Sequence, residues 1–333
     1  MKKIFSILAL VGMIMTTACS NENNEPVIAT DEANVTFTVN LNLNDIDSRV
    51  ISDGTTVDQL IFAVFDSEGN EITSKRQNNV PVSNCHATVT TRLQLGRGFT
   101  FVFWAQKKKD DDNLNNNGYY TTTNLKNIVV NYEGFANDEN RDAFTAVYSI
   151  DKVTQDFTQD VTLRRPFAQL DYVCTIEEWE KLKNATYELL GSNLIVESGA
   201  FTHYNAITGE ALQPTSNPIE FALSEDYLHT QYFDFLGFVT SKANNTYQDL
   251  FSSTDGDMFW LSMNYILANP EVTNLGKTTM NIYGYKGYDP SPMPIKCNEV
   301  PIQRNHRTVV TVSDLTTQAT LYININPAFN GDH

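Results

Sequence analysis

Arg49 is a residue whose type and surroundings suit one chemical event, hydrolysis of the peptide bond that follows it. Between Lys3 and Lys75 it is the only basic residue, so a protease that requires arginine or lysine has one site there, the bond from Arg49 to Val50. Arg49 ends a polar, turn-like segment behind a predicted strand, where a protease can reach it. The alternative interpretation is an ordinary solvated arginine in a loop.

Cys19 is the second candidate for covalent chemistry, because its thiol can carry a lipid. A basic start precedes the apolar run at residues 4–15, which is shorter than the roughly 20 residues that cross a bilayer. Residues 1–18 are therefore predicted to be a signal peptide. A small residue before Cys19 makes the cleavage point resemble the lipobox of bacterial lipoproteins, although Thr16 stands where an aliphatic residue is usual. The alternative is an ordinary signal peptide with a chance cysteine.

The segment at residues 19–33 is predicted to be an acidic tether, because its polar start cannot bury enough surface to fold. An acidic tract directly after the lipidated cysteine resembles the surface-export signal of lipoproteins from Bacteroides-like bacteria. This resemblance implies a precursor held at the cell outer membrane surface by acyl chains such as palmitate on Cys19.

The other reactive side chains predict no enzyme, cofactor or metal site. The sequence has no nucleophile elbow, zinc-binding histidine pair, phosphate loop or dinucleotide glycine pattern. The acidic run at residues 110–112 lacks the alternating ligands of a calcium loop. Three tryptophans are better explained as core residues than as a sugar-stacking platform. The side chains concerned, which show no ligand spacing, are His86, His203, His229, His306, His333, Cys85, Cys174, Cys297, Trp104, Trp179 and Trp260.

The charge of the chain argues against a nucleic-acid partner. Its 40 acidic and 23 basic residues give a formal net charge of −17. A surface this acidic repels phosphate backbones and anionic lipids.

Alternation with a period of two dominates the chain and predicts half-buried strands. The first strand is predicted at residues 34–44, and its apolar positions are Val35, Phe37, Val39, Leu41 and Leu43. Further strands are predicted at residues 60–65, 99–104, 193–197, 232–240, 258–263, 278–285, 308–312 and 319–326. A capping box from Thr175 to Glu178 predicts one short helix.

The length and the strand spacing predict two β-sandwich domains in an all-β chain with a minor helix. The polar stretch at residues 151–160 precedes a second start of the strand pattern. The predicted domains are residues 34–162 and residues 163–333.

At this point the sequence resembles the fimbrillins of the type V pilus. The resemblance covers nearly the whole chain and rests on the lipobox-like start, the segments at residues 45–49 and 53–60, the Arg-Arg-Pro-Phe-Ala-Gln-Leu segment at 164–170 and the last strand. It implies two transthyretin-like sandwiches and maturation by an arginine-specific protease that cuts after the first strand. It also implies that removal of this strand opens a groove, which a strand of a neighbouring subunit fills.

The resemblance therefore predicts a structural subunit of a fimbria that mediates adhesion to a host or bacterial target. Its partners would be copies of itself or related fimbrial subunits. The donor-strand candidate is Ala319, Leu321, Ile323 and Ile325, with residues 308–312 as a possible second part; the alternative is that both segments complete the second sandwich. The competing function is an uncleaved, lipid-anchored surface module that binds glycans or proteins.

Overall fold

The computed structural model describes residues 31–41, 54–108, 118–132, 139–175, 177–178, 181, 188–222, 258–286, 289–315 and 320–326. These residues form an all-β protein with short 3₁₀ turns at Thr73–Lys75 and Glu139–Arg141. The strands are β1 (Glu32–Leu41), β2 (Gln59–Asp66), β3 (Gln77–Pro81), β4 (His86–Gln94), β5 (Phe99–Gln106), β6 (Tyr120–Thr121), β7 (Ile128–Val130), β8 (Ala143–Ile150), β9 (Phe157–Leu163), β10 (Phe167–Thr175), β11 (Glu188–Val196), β12 (Phe201–Asn205), β13 (Glu210–Pro214), β14 (Ile219–Ala222), β15 (Met258–Leu267), β16 (Thr273–Asn274), β17 (Thr278–Lys286), β18 (Asp289–Cys297), β19 (Pro301–Ile302), β20 (Arg307–Ser313) and β21 (Thr320–Asn326). Within these ranges, no helix has the length and apolar character that crossing a bilayer requires.

The first sandwich consists of two sheets around one apolar core. One sheet has the strand order β4-β1-β9 and the other the order β3-β2-β5-β8. Alternate residues of β1 and β4 are buried, as expected for strands with one face on a core and one towards solvent. The core is rich in phenylalanine, and most of it comes from β1, β2 and β5.

The second sheet of this sandwich is buried on both faces. Six consecutive residues of β2 are buried, and so are seven of the eight residues of β5. Such continuous apolar runs are typical of strands covered on both sides. One face meets β1, and the other packs against a further sheet with the strand order β13-β12-β7-β6.

That further sheet, which we call the bridging sheet, draws strands from both halves of the chain. β6 and β7 precede the predicted domain boundary, whereas β12 and β13 follow it, and His203 of β12 pairs with Val129 of β7. The Trp104 ring on β5 lies 5.3 Å from the ring of Tyr120 and 5.8 Å from that of Tyr204. One apolar core therefore continues from the first half of the chain into the second.

The second sandwich pairs a sheet of order β15-β10-β20-β21 with a sheet of order β14-β11-β17-β18. Leu170 and Val310 from the first sheet and Met280 and Ile282 from the second are fully buried in its core. β16 and β19 form a small separate ladder.

Several boundaries differ from those predicted from the sequence. β1 begins at Glu32, inside the predicted tether, because Ala33 is also buried and the alternation starts there. β9 begins at Phe157, within the polar stretch at residues 151–160. The predicted boundary after residue 162 falls inside β9, which pairs with β1. Residues 42–44 and the strand predicted at 232–240 lie outside the described residues.

The capping residue predicted for the helix has the expected contact. The Glu178 backbone N–H donates to the Thr175 hydroxyl at 3.1 Å, and the described residues that follow Thr175 are helical. The Glu178 carboxylate bonds to Lys181 and to the backbone N–H of Leu315 instead of closing the box. Trp179 lies outside the described residues.

Candidate functional site

β1 is the interior strand of its sheet, with a different relation to each neighbour. It runs antiparallel to β4 and parallel to β9, so that Phe37 stands opposite Val89 on one side and Gln159 on the other. Val35 and Phe37 are 0 % exposed, Val39 is 1 % exposed and Leu41 is 6 % exposed. Withdrawal of β1 would thus separate β4 from β9 and uncover the core between them.

Phe37 is the central side chain of an aromatic cluster that joins the two sheets of the first sandwich. Its neighbours come from β2, β5, β8 and β9, and pairs at these separations stabilise a core beyond their buried area. The distances from the Phe37 ring centroid are 4.7 Å to Phe101, 5.2 Å to Phe103, 5.8 Å to Phe62, 5.9 Å to Tyr148 and 6.2 Å to Phe157.

Polar contacts at the two ends of β1 are made mainly at the surface. The backbone and side-chain amides of Asn34 donate to the two carboxylate oxygens of Asp156 at 2.8 and 3.1 Å, which lowers the pKa of that carboxyl. At the other end, the Leu41 N–H donates to the Cys85 carbonyl at 3.0 Å. Exposed polar contacts contribute little to stability. The apolar face therefore accounts for most of the binding of β1.

Five of the predicted site residues fall in parts of the chain that the structure does not describe. Cys19, Leu43, Arg49, Val50 and Ala319 lie outside the described residues. Their roles remain predictions.

β21 holds the described part of the donor-strand candidate and is the last strand of its sheet in the described part of the chain. It pairs with β20 along its whole length. Ile323 is 39 % exposed although it lies on the face of β21 that points to the core side, and Tyr322 on the other face is 64 % exposed. Leu321 and Ile325 are half-buried. The side chains of β21 are thus much less buried than those of β1.

The possible second part of the donor, residues 308–312, is a poor candidate. It lies within β20, an interior strand between β10 and β21. Thr308, Val310 and Val312 are 0 % exposed. Donation of this segment would split the second sandwich, which favours the alternative that it completes that sandwich.

The segment at residues 164–170 contains a buried ion pair that sequence reasoning missed. Arg165 Nε and Nη2 donate to the two carboxylate oxygens of Asp142, each at 2.7 Å, and both side chains are almost completely buried. The guanidinium carbon lies 4.5 Å from the centroid of the Phe144 ring. A two-point contact of this kind needs arginine, since lysine cannot form it. The ion pair joins the start of β8 to the connection between β9 and β10.

No catalytic centre is visible in the residues that the structure describes. Cys85, Cys174 and Cys297 are buried thiols, and burial raises the pKa of Cys174 and of Cys297, which disfavours the reactive thiolate. Within those residues, no three His, Cys, Asp or Glu side chains converge as metal ligands. Trp104 is a core residue whose indole N–H donates to the Gln106 side chain at 2.8 Å.

β9 is the functional element that the sequence analysis missed. It forms one wall of the site of β1, and Val161 and Leu163 are buried while Thr158 and Asp160 face solvent. The alternation at residues 157–163 could have revealed it. The polar residues directly before this segment conceal the alternation when the two are treated as one polar stretch.

These features define an all-β protein built from stacked sandwiches with a deeply buried, interior first strand. The chain belongs to DUF6562, a family of unknown function whose profile matches residues 26–333. No curated protein matches the sequence.

Solved structures of low identity are similar to most of the chain. The tip fimbrial protein Mfa3 of Porphyromonas gingivalis, with a C-terminal truncation, has 12 % identity and a TM-score of 0.44 over 89 % of this chain and 99 % of that one. A protein of Bacteroides thetaiotaomicron with a proposed role in polysaccharide binding has 12 % identity and a TM-score of 0.47 over 89 % and 96 %. A protein of Bacteroides eggerthii with a proposed role in cell adhesion has 11 % identity and a TM-score of 0.48 over 89 % and 95 %.

Proposed function

We propose that this chain is a non-enzymatic structural subunit of a cell-surface fimbria, assembled by strand exchange at the site of β1. A lipid on Cys19 anchors the precursor at the outer membrane. Cleavage between Arg49 and Val50 then separates the lipid anchor and β1 from the rest of the subunit. A strand of a neighbouring subunit occupies the vacated site, and the resulting fimbria mediates adhesion.

One observation carries the proposal: β1 is interior in its sheet and its apolar face is almost completely buried. Burial of Val35, Phe37, Val39 and Leu41 at about 1.5–3 kcal/mol each gives roughly 6–12 kcal/mol. This is comparable to the whole stability of a domain, which is about 5–15 kcal/mol. A subunit without β1 would expose an apolar groove and two strand edges, and would need a replacement strand.

The geometry of the site restricts the replacement strand. It must run antiparallel to β4 and parallel to β9 to restore both ladders. It must also present apolar residues at alternate positions to the core, as β1 does. Leu321, Ile323 and Ile325 of β21 have this spacing.

The burial of β21 also supports its role as donor. Ile323 is 39 % exposed in its own subunit, so transfer to the place of a fully buried β1 residue would remove more apolar surface from water. Because the donor and acceptor surfaces differ, each subunit can accept one strand and donate another. Such heterologous contacts continue into a filament.

Limited proteolysis of the full-length protein with trypsin in the native state tests the proposal. We expect one early product that begins at Val50, followed by SDS-resistant oligomer ladders. The Arg49→Ala variant should be neither cut at this site nor assembled. A precursor that stays intact, or that is cut without any assembly, would contradict strand exchange and favour the uncleaved surface-binding module.

A variant of the donor separates cleavage from assembly. Ile323→Asp should be cut like the wild type but should give no ladder, because the carboxylate would enter the apolar groove. The matched control is Tyr322→Asp, which changes the opposite face of the same strand and should still assemble. Equal assembly of the two variants would exclude β21 as the donor.

A further inference from the structure

A polar cleft of about 650 Å³ lies where the first sandwich meets the bridging sheet. Its volume is within the range of small-molecule sites. The lining comes from β2, β3, β5, β6 and their adjoining segments, and among the described residues it contains four side-chain amides, three threonines and two basic residues but no carboxylate. This composition is unusual on a chain whose formal net charge is −17.

A directed chain of hydrogen bonds fixes the orientation of one side of the cleft. The Trp104 indole N–H donates to Gln106 Oε1 at 2.8 Å, Gln106 Nε2 donates to Gln59 Oε1 at 3.3 Å, and Gln59 Nε2 donates to Asn79 Oδ1 at 2.8 Å. Because an indole N–H can only donate, it determines the direction of every amide in the chain. The chain ends with the amide NH₂ group of Asn79, which has no acceptor among the described residues.

Arg76 fixes a second amide in the same sense. Its Nε donates to Asn78 Oδ1 at 2.6 Å, while its Nη atoms donate to the Glu71 carboxylate at 2.9 Å and to the Thr122 carbonyl at 2.5 Å. Because Asn78 is an exposed residue, its NH₂ group is open to solvent while its oxygen is occupied.

Lys108 adds an ammonium group to this lining. Asp58, a neighbouring carboxylate, already accepts from the Lys107 ammonium at 2.7 Å and from the Lys108 backbone N–H at 2.6 Å. The cleft thus presents donors in a direction set by the protein. Such a surface matches an anionic group with several acceptor oxygens.

We propose that this cleft binds a saccharide that carries a carboxylate, such as a uronic acid residue. The carboxylate would accept hydrogen bonds from the amides of Asn78 and Asn79 and from Lys108. Sugar hydroxyls can donate to and accept from the threonine hydroxyls at Thr121 and Thr123. The site is separate from that of β1 and does not depend on strand exchange.

The test is a titration of the full-length, uncleaved protein with sodium D-glucuronate, followed by the side-chain NH₂ signals of Asn78 and Asn79 in two-dimensional NMR spectra. D-glucose, in which a hydroxymethyl group replaces the carboxylate, and sodium acetate are the comparison probes. We expect saturable shifts of the two NH₂ signals with glucuronate and much weaker binding of glucose and of acetate.

The Asn79→Asp variant tests the donor role directly, because it keeps the oxygen that accepts from Gln59 and converts the outward NH₂ group into a carboxylate oxygen. Its affinity for glucuronate should fall at least about tenfold, as expected for loss of a hydrogen bond to a charged group. The matched control, Asn217→Asp, adds the same charge at an exposed position away from the cleft and should bind like the wild type.

Four results would overturn the proposal. The first is the lack of saturable shifts with glucuronate. The second is equal binding of glucuronate and glucose, which would exclude the carboxylate as the recognised group, and the third is equal binding of acetate, which would exclude a saccharide. Unchanged affinity in Asn79→Asp would likewise overturn it.

Discussion

At the residue scale, Phe37 allows the contribution of β1 to the first sandwich to be measured. We expect Phe37→Ala to lower the free energy of unfolding of the uncleaved protein by about 3–5 kcal/mol, since a buried ring in contact with both sheets leaves a cavity when it is truncated. Thr38→Ala, on the outward face of the same strand, should change it by no more than about 0.5 kcal/mol. Denaturant unfolding followed by circular dichroism measures both. Similar losses in the two variants would mean that the inward face does not hold β1.

Asp171 predicts a pH dependence of stability. It is buried on β10 next to Gln169 and Arg307, and burial raises its pKa from 3.8 to about 6 against the opposing effect of Arg307. The folded state therefore favours the protonated form. Its contribution to stability is complete below pH 3.8 and is lost as the pH rises through about 6, a change of about 3 kcal/mol.

Unfolding free energies measured from pH 4 to pH 7 should show this fall, and it should be absent in Asp171→Asn. That variant removes the partner of Arg307 and should be less stable overall, so the slope with pH is the quantity to compare. Asp66, Asp156, Glu178 and Glu197 have lowered pKa values, so their stabilisation is lost as the pH falls through their ordinary values of 3.8 and 4.5, which gives a slope of opposite sign at the acid end of this range. A slope that persists in Asp171→Asn would assign the effect to another group.

Individual buried polar residues were the least predictable part of the molecule. The alternation of β1 is visible in the sequence, and the structure buries the four expected side chains that it describes. In contrast, Arg165 belongs to the segment that carries the family resemblance, but the resemblance does not explain why an arginine is needed there. The reason is Asp142, which lies 23 positions earlier in the chain. Only the folded chain brings such partners together.

At the element scale, the edge strand β18 has a sequence that disfavours the addition of another strand. β18 is the last strand of its sheet in the described part of the chain and carries Pro290, Pro292 and Pro294 at alternate positions. In an antiparallel pair, alternate residues direct their N–H groups to the same side. Since β18 keeps its ladder with β17, the prolines must face the open edge, where they remove three donors that an incoming strand would use.

We therefore expect replacement of these three prolines by threonine to cause self-association without proteolytic cleavage. Each restored hydrogen bond contributes about 0.5–1.5 kcal/mol. Light scattering of the Arg49→Ala protein with and without the replacements would measure the effect. Pro218→Thr, at an exposed position just before β14, is the matched control. A monomeric triple variant would show that the prolines do not protect this edge.

Strands with clear alternation or long apolar runs were predictable, and short or polar ones were not. β2, β5 and β20 are close to their predicted bounds. β9 was missed because its polar outward residues adjoin a polar loop. β18 was missed because its prolines are unfavourable in a strand interior and are tolerated at an edge. The low intrinsic β-propensity of β9 and β18 is outweighed by the contacts that each strand makes in its sheet.

At the scale of the whole molecule, the sequence predicted two β-sandwich domains in tandem, and the bridging sheet gives a reason to expect that they unfold cooperatively. The spacing of strands shows how many sandwiches a chain can form but not which strands pair across a boundary. β12 pairs with β7 across about 70 residues, and its Tyr204 packs against Trp104 of the first sandwich. A contact of this kind depends on both halves being folded.

We predict that the two halves unfold together. In hydrogen exchange followed by mass spectrometry at increasing denaturant, peptides from β5 and from β20 should lose protection at the same concentration, because the shared sheet and its core connect them. Tyr204→Ala removes a ring that is 1 % exposed and should lower the midpoint of both sets of peptides equally, by an amount equivalent to about 3–5 kcal/mol. Tyr322→Ala, which removes a largely exposed ring on β21, should shift neither. Two separate transitions, or a shift limited to one half, would mean that the bridging sheet does not couple the sandwiches and that each folds alone.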